Sequence, residues 1–331
     1  MTAALVDSFG RTVRDLRISI TDRCNFRCTY CMPAEGMQWL PREELLTFEE
    51  ITTIARICVS RFGFDGIRIT GGEPTVRAHL PVLVERLAAL GVDLAMTTNG
   101  ATLRLLADDL KAAGLNRLNI SCDSLDRDRF YQMTRRDDLS RVLDGIAAAK
   151  EAGFAPVKLN VVLIRGQNDD EVLDFARFGR QNGVGVRFIE FMPLDADGMW
   201  SNDKVVPSSE VIETINAVYP LVKVSHGAEP ADRWAYADGI GDVGVIASVT
   251  EPFCGDCDRV RITAEGEFRT CLFSTDEFDL RAITRSGRTG TDLDDALAVE
   301  IARAVGLKWA GHAINQVHFI RPARSMSQIG G

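Results

Sequence analysis

The stretch Asp22-Arg-Cys-Asn-Phe-Arg-Cys-Thr-Tyr-Cys-Met-Pro33 carries three closely spaced cysteines, Cys24, Cys28 and Cys31. It directly follows a short apolar run, Leu16 to Ile20, that has the pattern of a buried β-strand. A disulfide would use two of these thiols and leave the third over. The chemistry of the chain therefore depends on what three thiolates do just after the first predicted strand.

The composition predicts a globular protein with a substantial core. The chain has 331 residues, of which 46% are apolar and 26% are charged, with a formal net charge of -9. No apolar run approaches the roughly 18 residues of a membrane span, and the first ten residues lack a secretory pattern, so we expect a cytoplasmic protein without a membrane partner. The negative charge disfavours general nucleic-acid binding but allows a local basic pocket for a small anion.

The cysteine usage favours metal or cluster ligation, because the cytosol keeps thiols reduced. Cys58 and Cys122 lie in apolar periodic segments and are expected to be small buried hydrophobes. The other six fall into two groups, defined here as the first cysteine group (Cys24, Cys28 and Cys31) and the second cysteine group (Cys254, Cys257 and Cys271).

Strand-like and helical patterns alternate up to about residue 192, which predicts a parallel sheet with right-handed crossovers. The predicted strands are Leu16 to Ile20, Gly66 to Thr70, Val92 to Thr97, Arg117 to Ser121, Val157 to Leu163 and Val186 to Phe191. The pattern leaves two architectures open, a doubly wound sheet and a full or partial βα barrel. Glycine-rich and polar residues follow several strands, and both architectures place active sites at the carboxyl ends of strands.

The pattern changes after residue 192, so we predict domains at 1–192 and 193–331. The second part is expected to contain a helix at about Ser208 to Val218, a strand at Gly241 to Thr250, a hairpin around Ala264 to Gly266 and a helix from Asp292. An irregular basic tail ends in Gly330-Gly331.

The spacing of the cysteines distinguishes a zinc site from an iron-sulfur cluster more clearly for the first cysteine group than for the second. A structural zinc ion needs four ligands, and no histidine lies near Cys24, Cys28 and Cys31, whereas a cubane with one open iron needs three. For the second cysteine group, zinc completed by one of the four histidines remains an alternative.

Two motifs in this order resemble the radical S-adenosylmethionine (SAM) enzymes: C-x3-C-x2-C after the first strand, and Gly71-Gly72-Glu73-Pro74 after the second. The resemblance implies an α/β fold, an incomplete (βα)6 TIM-like barrel. It also implies a 4Fe-4S cluster on the first cysteine group, whose open iron binds SAM and whose electron cleaves SAM to a 5′-deoxyadenosyl radical.

The chain is further similar to the GTP 3′,8-cyclase family, which catalyses the first step of molybdenum cofactor biosynthesis. The resemblance rests on the segment from Phe253 to Arg261, on Cys271, on Arg17 and on the terminal glycine pair. It implies a C-terminal extension with a second 4Fe-4S cluster on the second cysteine group. It also implies abstraction of the C3′ hydrogen of GTP, C3′–C8 bond formation, a reductant or electron-donor protein, and a functional link to cyclic pyranopterin monophosphate synthase. The sequence leaves open whether the chain is a monomer or a homodimer.

The same resemblance assigns individual residues. Arg17, Arg259 and Arg261 are expected to be catalytic. SAM is expected to contact Tyr30, Gly72, Ser121 and Met192. The nucleotide is expected to contact Arg17, Arg68, Thr97, Lys158, Arg187, Arg259 and Arg261, and the glycine tail is expected to enter the active site beside the second cluster.

Physical chemistry agrees with several of these roles. Glycines let backbone approach a ligand closely, and guanidinium groups bind phosphate oxygens in bidentate fashion. The alternation Arg259-Val260-Arg261 predicts a strand with both guanidiniums on one face. One departure from the family pattern is Gly66, where a lysine is usual, so one phosphate contact is in doubt.

Two rival functions remain at this point. One is a peptide-modifying radical SAM enzyme with an auxiliary cluster, although such enzymes commonly have more cysteines in the C-terminal part. The other is an electron carrier or zinc-stabilised binding protein, which would have no need of the Gly71-Gly72-Glu73-Pro74 motif.

Overall fold

The computed structural model describes residues 4–224, 229–314, 316–317 and 319–330, and these residues form one twelve-stranded sheet. The strands are β1 (Asp15–Ser19), β2 (Gly66–Thr70), β3 (Asp93–Thr98), β4 (Arg117–Ser121), β5 (Val157–Leu163), β6 (Gly185–Glu190), β7 (Leu221–Val224), β8 (Asp232–Tyr236), β9 (Asp242–Ile246), β10 (Arg259–Ile262), β11 (Glu267–Arg269) and β12 (Phe278–Asp279). Their spatial order is β12-β11-β10-β1-β2-β3-β4-β5-β6-β9-β8-β7.

The helices are α1 (Phe48–Phe62), α2 (Leu80–Ala88), α3 (Ala107–Ala112), α4 (Arg127–Thr134), α5 (Leu139–Glu151), α6 (Val172–Asn182), α7 (Ser208–Asn216), α8 (Leu280–Thr284), α9 (Gly290–Gly306) and α10 (Met326–Ile329). None of the described helices is long and apolar enough to cross a membrane.

The predicted alternation of strands and helices is confirmed, and the parallel region is larger than predicted. Strands β1 to β6 are parallel neighbours, and β10 and β9 add a further parallel strand beside β1 and β6 respectively. Both added strands come from residues after 192, so the C-terminal part extends the same sheet. The boundary at residue 192 itself remains a prediction.

The sheet curves into an incomplete barrel, which distinguishes between the two predicted architectures. All eight parallel strands contribute residues to one interior cavity, and several contribute alternate residues, for example Lys158, Asn160 and Val162 of β5. The intervening residues Leu159 and Val161 are fully buried in the apolar core on the other face of the sheet. The linear strand order keeps β12 and β7 apart, so the barrel stays open among the described residues.

Local sequence signals explain which helices could be predicted. Thr47 caps α1 through a reciprocal capping box with Glu50, as the sequence indicates. The sequence pattern does not predict helix α4, because its sequence RDRFYQMT is mostly polar. The helix is stabilised instead by burial of Phe130 and Met133 and by the Asp126 cap. The tail also contains a short helix, α10, where we predicted an irregular segment.

Glu190, the last residue of β6, joins the barrel to the C-terminal part. Its buried carboxylate accepts hydrogen bonds from the backbone amides of Ser208, Val249 and Thr250, at 3.1, 2.7 and 2.9 Å. Buried charges are tolerated when they are hydrogen-bonded in this way, so the carboxylate stabilises the junction between the two parts.

We therefore expect Glu190→Gln to lower the free energy of unfolding by about 2 kcal/mol, because an amide NH₂ group replaces an oxygen that accepts backbone N–H groups. Urea denaturation of the purified protein measures the change. The exposed Glu43→Gln variant serves as a control and should unfold like the wild type. Equal stability of the two variants would contradict this account of the junction.

Candidate active site

A single large cavity of about 650 Å³ fills the interior of the incomplete barrel, a size suited to small-molecule ligands. The cavity brings together the first cysteine group and every residue predicted to contact SAM or nucleotide. These lining residues are Arg17, Cys24, Cys28, Tyr30, Cys31, Arg68, Gly72, Thr97, Ser121, Lys158, Arg187, Met192, Arg259 and Arg261. The second cysteine group does not line the cavity itself, although its chain neighbours Phe253 and Leu272 do.

The two cysteine groups lie at opposite edges of the parallel sheet. The first group follows the carboxyl end of β1, whereas Cys254 and Cys257 precede the amino end of β10, which runs parallel to β1. Cys271 follows the antiparallel strand β11 and returns to that same amino edge. The first group therefore lies at the carboxyl ends of the strands, where both predicted architectures place active sites, whereas the second group lies at the amino edge. A five-residue strand spans about 16 Å, which is the scale of the separation between the edges.

The first cysteine group is held by close backbone packing. Gly72 donates its N–H to the Thr21 carbonyl at 2.7 Å, and a Cβ added at Gly72 would lie 2.4 Å from the carbonyl oxygen of Arg23. Only glycine fits where the loop after β2 meets the cysteine loop. In that loop, the amides of Cys31 and Met32 both donate to the Cys28 carbonyl and form a tight turn.

The surroundings of these thiols are compatible with ligation of an iron-sulfur cluster. Burial and the neighbouring Glu73 raise the pKa of Cys24 to about 12, and burial raises the pKa of Cys31 to about 11. Thiolates at these positions need positive charge beside them, which iron ligation supplies. No three His, Cys, Asp or Glu side chains of the described residues converge on a point that could hold one metal ion.

Glu73 of the glycine motif has a structural role. Its buried carboxylate accepts hydrogen bonds from the amides of Thr75 and Asn99 and from the Thr98 hydroxyl. These bonds join the ends of β2 and β3 and so fix the glycine loop above the cavity.

Asp123 is a site residue that sequence reasoning missed. The Tyr30 hydroxyl donates to its carboxylate at 2.6 Å, and the amide of Val162 donates to it at 2.9 Å. Burial raises the pKa of Asp123 to about 6. The available signal was its position, two residues after Ser121 at the carboxyl end of β4. Its contact orients Tyr30, the residue predicted to contact SAM.

Three arginines form a row across neighbouring strands in the cavity. Arg17 of β1 is in register with Arg261 of β10 on one side and with Arg68 of β2 on the other. Burial and the neighbouring charges of Arg261 and Arg68 hold the pKa of Arg17 well below its usual range, and burial lowers that of Arg261 to about 10. Adjacent strands lie about 4.8 Å apart, so such a row is costly unless an anion binds to it.

Donor atoms on these arginines are available to a ligand. The Nε atoms of Arg17, Arg68 and Arg259 are buried and have no hydrogen-bond partner among the described residues. The Asp15 carboxylate is 3.8 Å from the Arg17 Nε and offers partial compensation. A Cβ added at Gly66 would lie 3.5 Å from that carboxylate, so a side chain at Gly66 would stand beside Asp15.

The remaining predicted cations are already paired with carboxylates. Arg187 donates to Asp242 at 2.7 Å, and the Lys158 ammonium is 4.0 Å from Glu229. Space for Arg187 is provided by Gly244, since a Cβ there would lie 2.6 Å from the arginine Cδ. The positive charges of Arg187 and Lys158 are therefore balanced by carboxylates to a greater extent than those of the arginine row.

The second cysteine group is supported by cations rather than by carboxylates. The Arg11 guanidinium donates to the Cys254 carbonyl at 2.6 Å and is itself paired with Asp7. Burial raises the pKa of the Cys257 thiol, but Arg259 and Lys308 outweigh burial and lower it. A Cβ added at Gly311 would lie 3.5 Å from the Cys254 Sγ, so the chain leaves room around that sulfur. These features fit thiolates that carry a cluster.

The C-terminal tail reaches the cavity from the carboxyl edge. The Gly330 carbonyl accepts a hydrogen bond from Arg261, and Ser327 lies near enough to Cys31 to oppose the effect of burial on the pKa of its thiol. A Cβ added at Gly330 would clash with Thr70, the last residue of β2. The described part of the tail therefore lies beside the first cysteine group, and Gly331 lies outside the described residues.

Comparisons with known proteins identify both parts of the chain. Residues 18–179 match the radical SAM superfamily, and residues 184–313 match the family described as Molybdenum Cofactor Synthesis C. A GTP 3′,8-cyclase of Mycobacterium sp. (strain KMS) is 47% identical over 100% of this chain and 94% of its own length. The chain belongs to the GTP 3′,8-cyclase family of radical SAM proteins.

Other comparisons agree with this family. A GTP 3′,8-cyclase of Streptomyces coelicolor is 47% identical over 99% of this chain and 96% of its own length. Among solved structures, Streptococcus suis SuiB bound to S-adenosylmethionine matches with a TM-score of 0.59 and 14% identity, over 87% of this chain and 65% of that one. Methylornithine synthase (PylB) matches with a TM-score of 0.51 and 18% identity, over 63% of each chain. At these identities the two structures show the shared fold alone.

We expect Arg261→Ala to loosen the C-terminal tail of this protein, because the substitution removes the hydrogen-bond donor to the Gly330 carbonyl. Timed digestion with carboxypeptidase, read by mass spectrometry, should show severalfold faster loss of the C-terminal residues. Arg259→Ala is the matched control, since Arg259 lines the same cavity and its guanidinium lies over the Phe253 ring. Equal digestion rates in the two variants would show that Arg261 does not hold the tail.

Proposed function

We propose that the chain converts GTP to 3′,8-cyclo-7,8-dihydro-GTP, the first step of molybdenum cofactor biosynthesis. The observation that carries the proposal is one continuous cavity with the first cysteine group at one edge and a row of largely buried arginines in its other half. Full-length similarity to GTP 3′,8-cyclases supports the same substrate.

The carboxyl edge of the barrel is the proposed SAM site. Cys24, Cys28 and Cys31 would hold a 4Fe-4S cluster, which would supply the electron for reductive cleavage of SAM. The backbone at Gly72, with no side chain in the way, meets the methionine end of SAM. Tyr30, held by Asp123, contacts the adenosine end together with the residues predicted for SAM, Ser121 and Met192.

The inner half of the barrel is the proposed nucleotide site. The nucleotide, a polyanion, supplies the negative charge that the largely buried row of Arg17, Arg68 and Arg261 requires. Charged hydrogen bonds of this kind contribute about 1.5–3 kcal/mol each and hold the ribose in a fixed place. The further proposed nucleotide contacts are Thr97, Lys158, Arg187 and Arg259, all of which line the cavity.

The second cysteine group is proposed to hold another 4Fe-4S cluster at the amino edge of β10. The cationic surroundings of Cys257 and the space beside Cys254 support this assignment. GTP placed in the inner half would then lie between the two cysteine groups, with its guanine toward the second. Arg17, Arg259 and Arg261, next to the reacting part of the nucleotide, are the proposed catalytic residues.

The proposed reaction also implies partners. A reductant or electron-donor protein must supply electrons, and cyclic pyranopterin monophosphate synthase is the expected consumer of the product. We propose a cytoplasmic location, where reduced thiols are maintained, and either a monomer or a homodimer.

The test is an anaerobic assay of the iron-reconstituted protein with SAM, dithionite and GTP deuterated at C3′. The proposal expects 5′-deoxyadenosine that carries deuterium, detected by mass spectrometry, together with the cyclised nucleotide. Undeuterated GTP is the matched control and gives the natural isotope pattern of the 5′-deoxyadenosine. Deoxyadenosine without deuterium would eliminate GTP hydrogen abstraction and would favour a peptide-modifying radical SAM enzyme.

Separate changes in the two cysteine groups should have different effects. Cys24→Ala is expected to abolish deoxyadenosine formation, because it removes a ligand of the SAM-binding cluster. Cys271→Ala is expected to leave deoxyadenosine formation intact and to abolish the cyclised nucleotide. Retained SAM cleavage in the first variant, or retained cyclisation in the second, would show that the corresponding group is misassigned.

A further inference from the structure

Lys308 is a buried lysine that no part of the proposed reaction uses. It lies two residues beyond α9, and only 3% of its surface is exposed. Its ammonium donates to the carbonyls of Arg259 and Thr270, at 2.7 and 2.6 Å, and lies 3.7 Å from the Cys257 Sγ. An ammonium has three N–H donors, so these three atoms account for all of them.

The partners of Lys308 join the two chain segments that carry the second cysteine group. Arg259 is two residues after Cys257, and Thr270 directly precedes Cys271. A single ammonium therefore fixes the carbonyls beside two ligands and contacts the sulfur of one of them. No other described side chain makes this set of contacts.

The charge of Lys308 has no carboxylate partner. Among the described residues, no Asp or Glu forms an ion pair with it, in contrast to Arg11, which supports Cys254 but is neutralised by Asp7. A buried charge is costly unless an opposite charge lies near it, and the nearest candidates are the cysteine sulfurs. Arg259 is also close, but it lines the cavity and faces the substrate, whereas Lys308 does not line the cavity.

We propose that Lys308 is a positioning residue that joins the ligand segments of the second cysteine group and sets the reduction potential of the cluster bound there. The inference rests on the proposed second cluster. A positive charge and an N–H···S contact stabilise the more negative, reduced state of a cluster, so Lys308 raises its potential.

The experiment uses the full chain with Cys24, Cys28 and Cys31 all changed to alanine, so that iron binds only to the second group. After anaerobic reconstitution, iron content and a redox titration followed by electron paramagnetic resonance are measured in this parent and with Lys308→Met added. We expect equal iron and a tenfold lower reduced-to-oxidised ratio at fixed potential, which is about 59 mV for a one-electron couple. Lys204→Met is the matched control, because Lys204 also donates to a backbone carbonyl, that of Met199 at 2.8 Å, and does not line the cavity.

Two further variants keep the inference testable if Lys308→Met fails to fold or to bind iron. Lys308→Gln keeps donors for the carbonyls and removes the charge, so it should show the lowered potential, while Lys308→Arg should stay near the parent. A parental potential in Lys308→Met or Lys308→Gln, or an equal fall in Lys308→Arg, would overturn the role of Lys308 alone. A parent without iron would overturn the second cluster of the proposed function, and the role of Lys308 with it.

Discussion

The parallel pairing of β10 with β1 is the constraint on which the site depends. It places Arg261 in register with Arg17 and so completes the row of arginines inside the barrel. The same pairing fixes the direction of β10, which puts the second cysteine group at the edge of the sheet opposite the first. Since β1 also pairs with β2, the loop carrying the first cysteine group and the glycine loop meet above the same cavity. One central strand thus organises both ends of the site.

Alternation along the strands reconciles an acidic protein with a cationic interior. The chain carries a net charge of -9, yet arginines of three neighbouring strands face the cavity. The opposite faces of these strands are apolar. Core residues such as Ile18 and Val260 fix the strands, and the strands carry the arginines on their other face. Burying several like charges together reduces stability, and an anionic ligand recovers that loss on binding. The arrangement favours affinity for a polyanion over stability of the empty barrel.

Local sequence patterns predicted the first six strands to within one or two residues, because each is a short run with apolar residues at alternate positions. The resemblance to the family, rather than local pattern, indicated that Arg17, Arg68 and Lys158 share a site, whereas period-two alternation predicted a common face for Arg259 and Arg261. Local patterns could not predict the partners of β9 and β10, because pairing between distant segments is not encoded in local periodicity. For the same reason the contacts of Lys308 and of the tail could not be predicted from the sequence. These residues act through segments far from them along the chain.

The two cysteine groups differ in spacing, and the charges that surround Cys257 are opposite in sign to those around the first group. Around the first group, burial and the carboxylates of Glu73 and Asp123 raise the pKa of the thiols. Around Cys257, the cations Arg259 and Lys308 outweigh burial and lower it. Spacing leaves both zinc and a cluster open for the second group, whose proposed cluster rests on the family resemblance, while the surrounding charge makes the two sites chemically different. A negative environment disfavours extra electrons on a cluster and a positive one favours them, so a cluster on the first group would be the more strongly reducing one if the proposed second cluster is bound near Cys257.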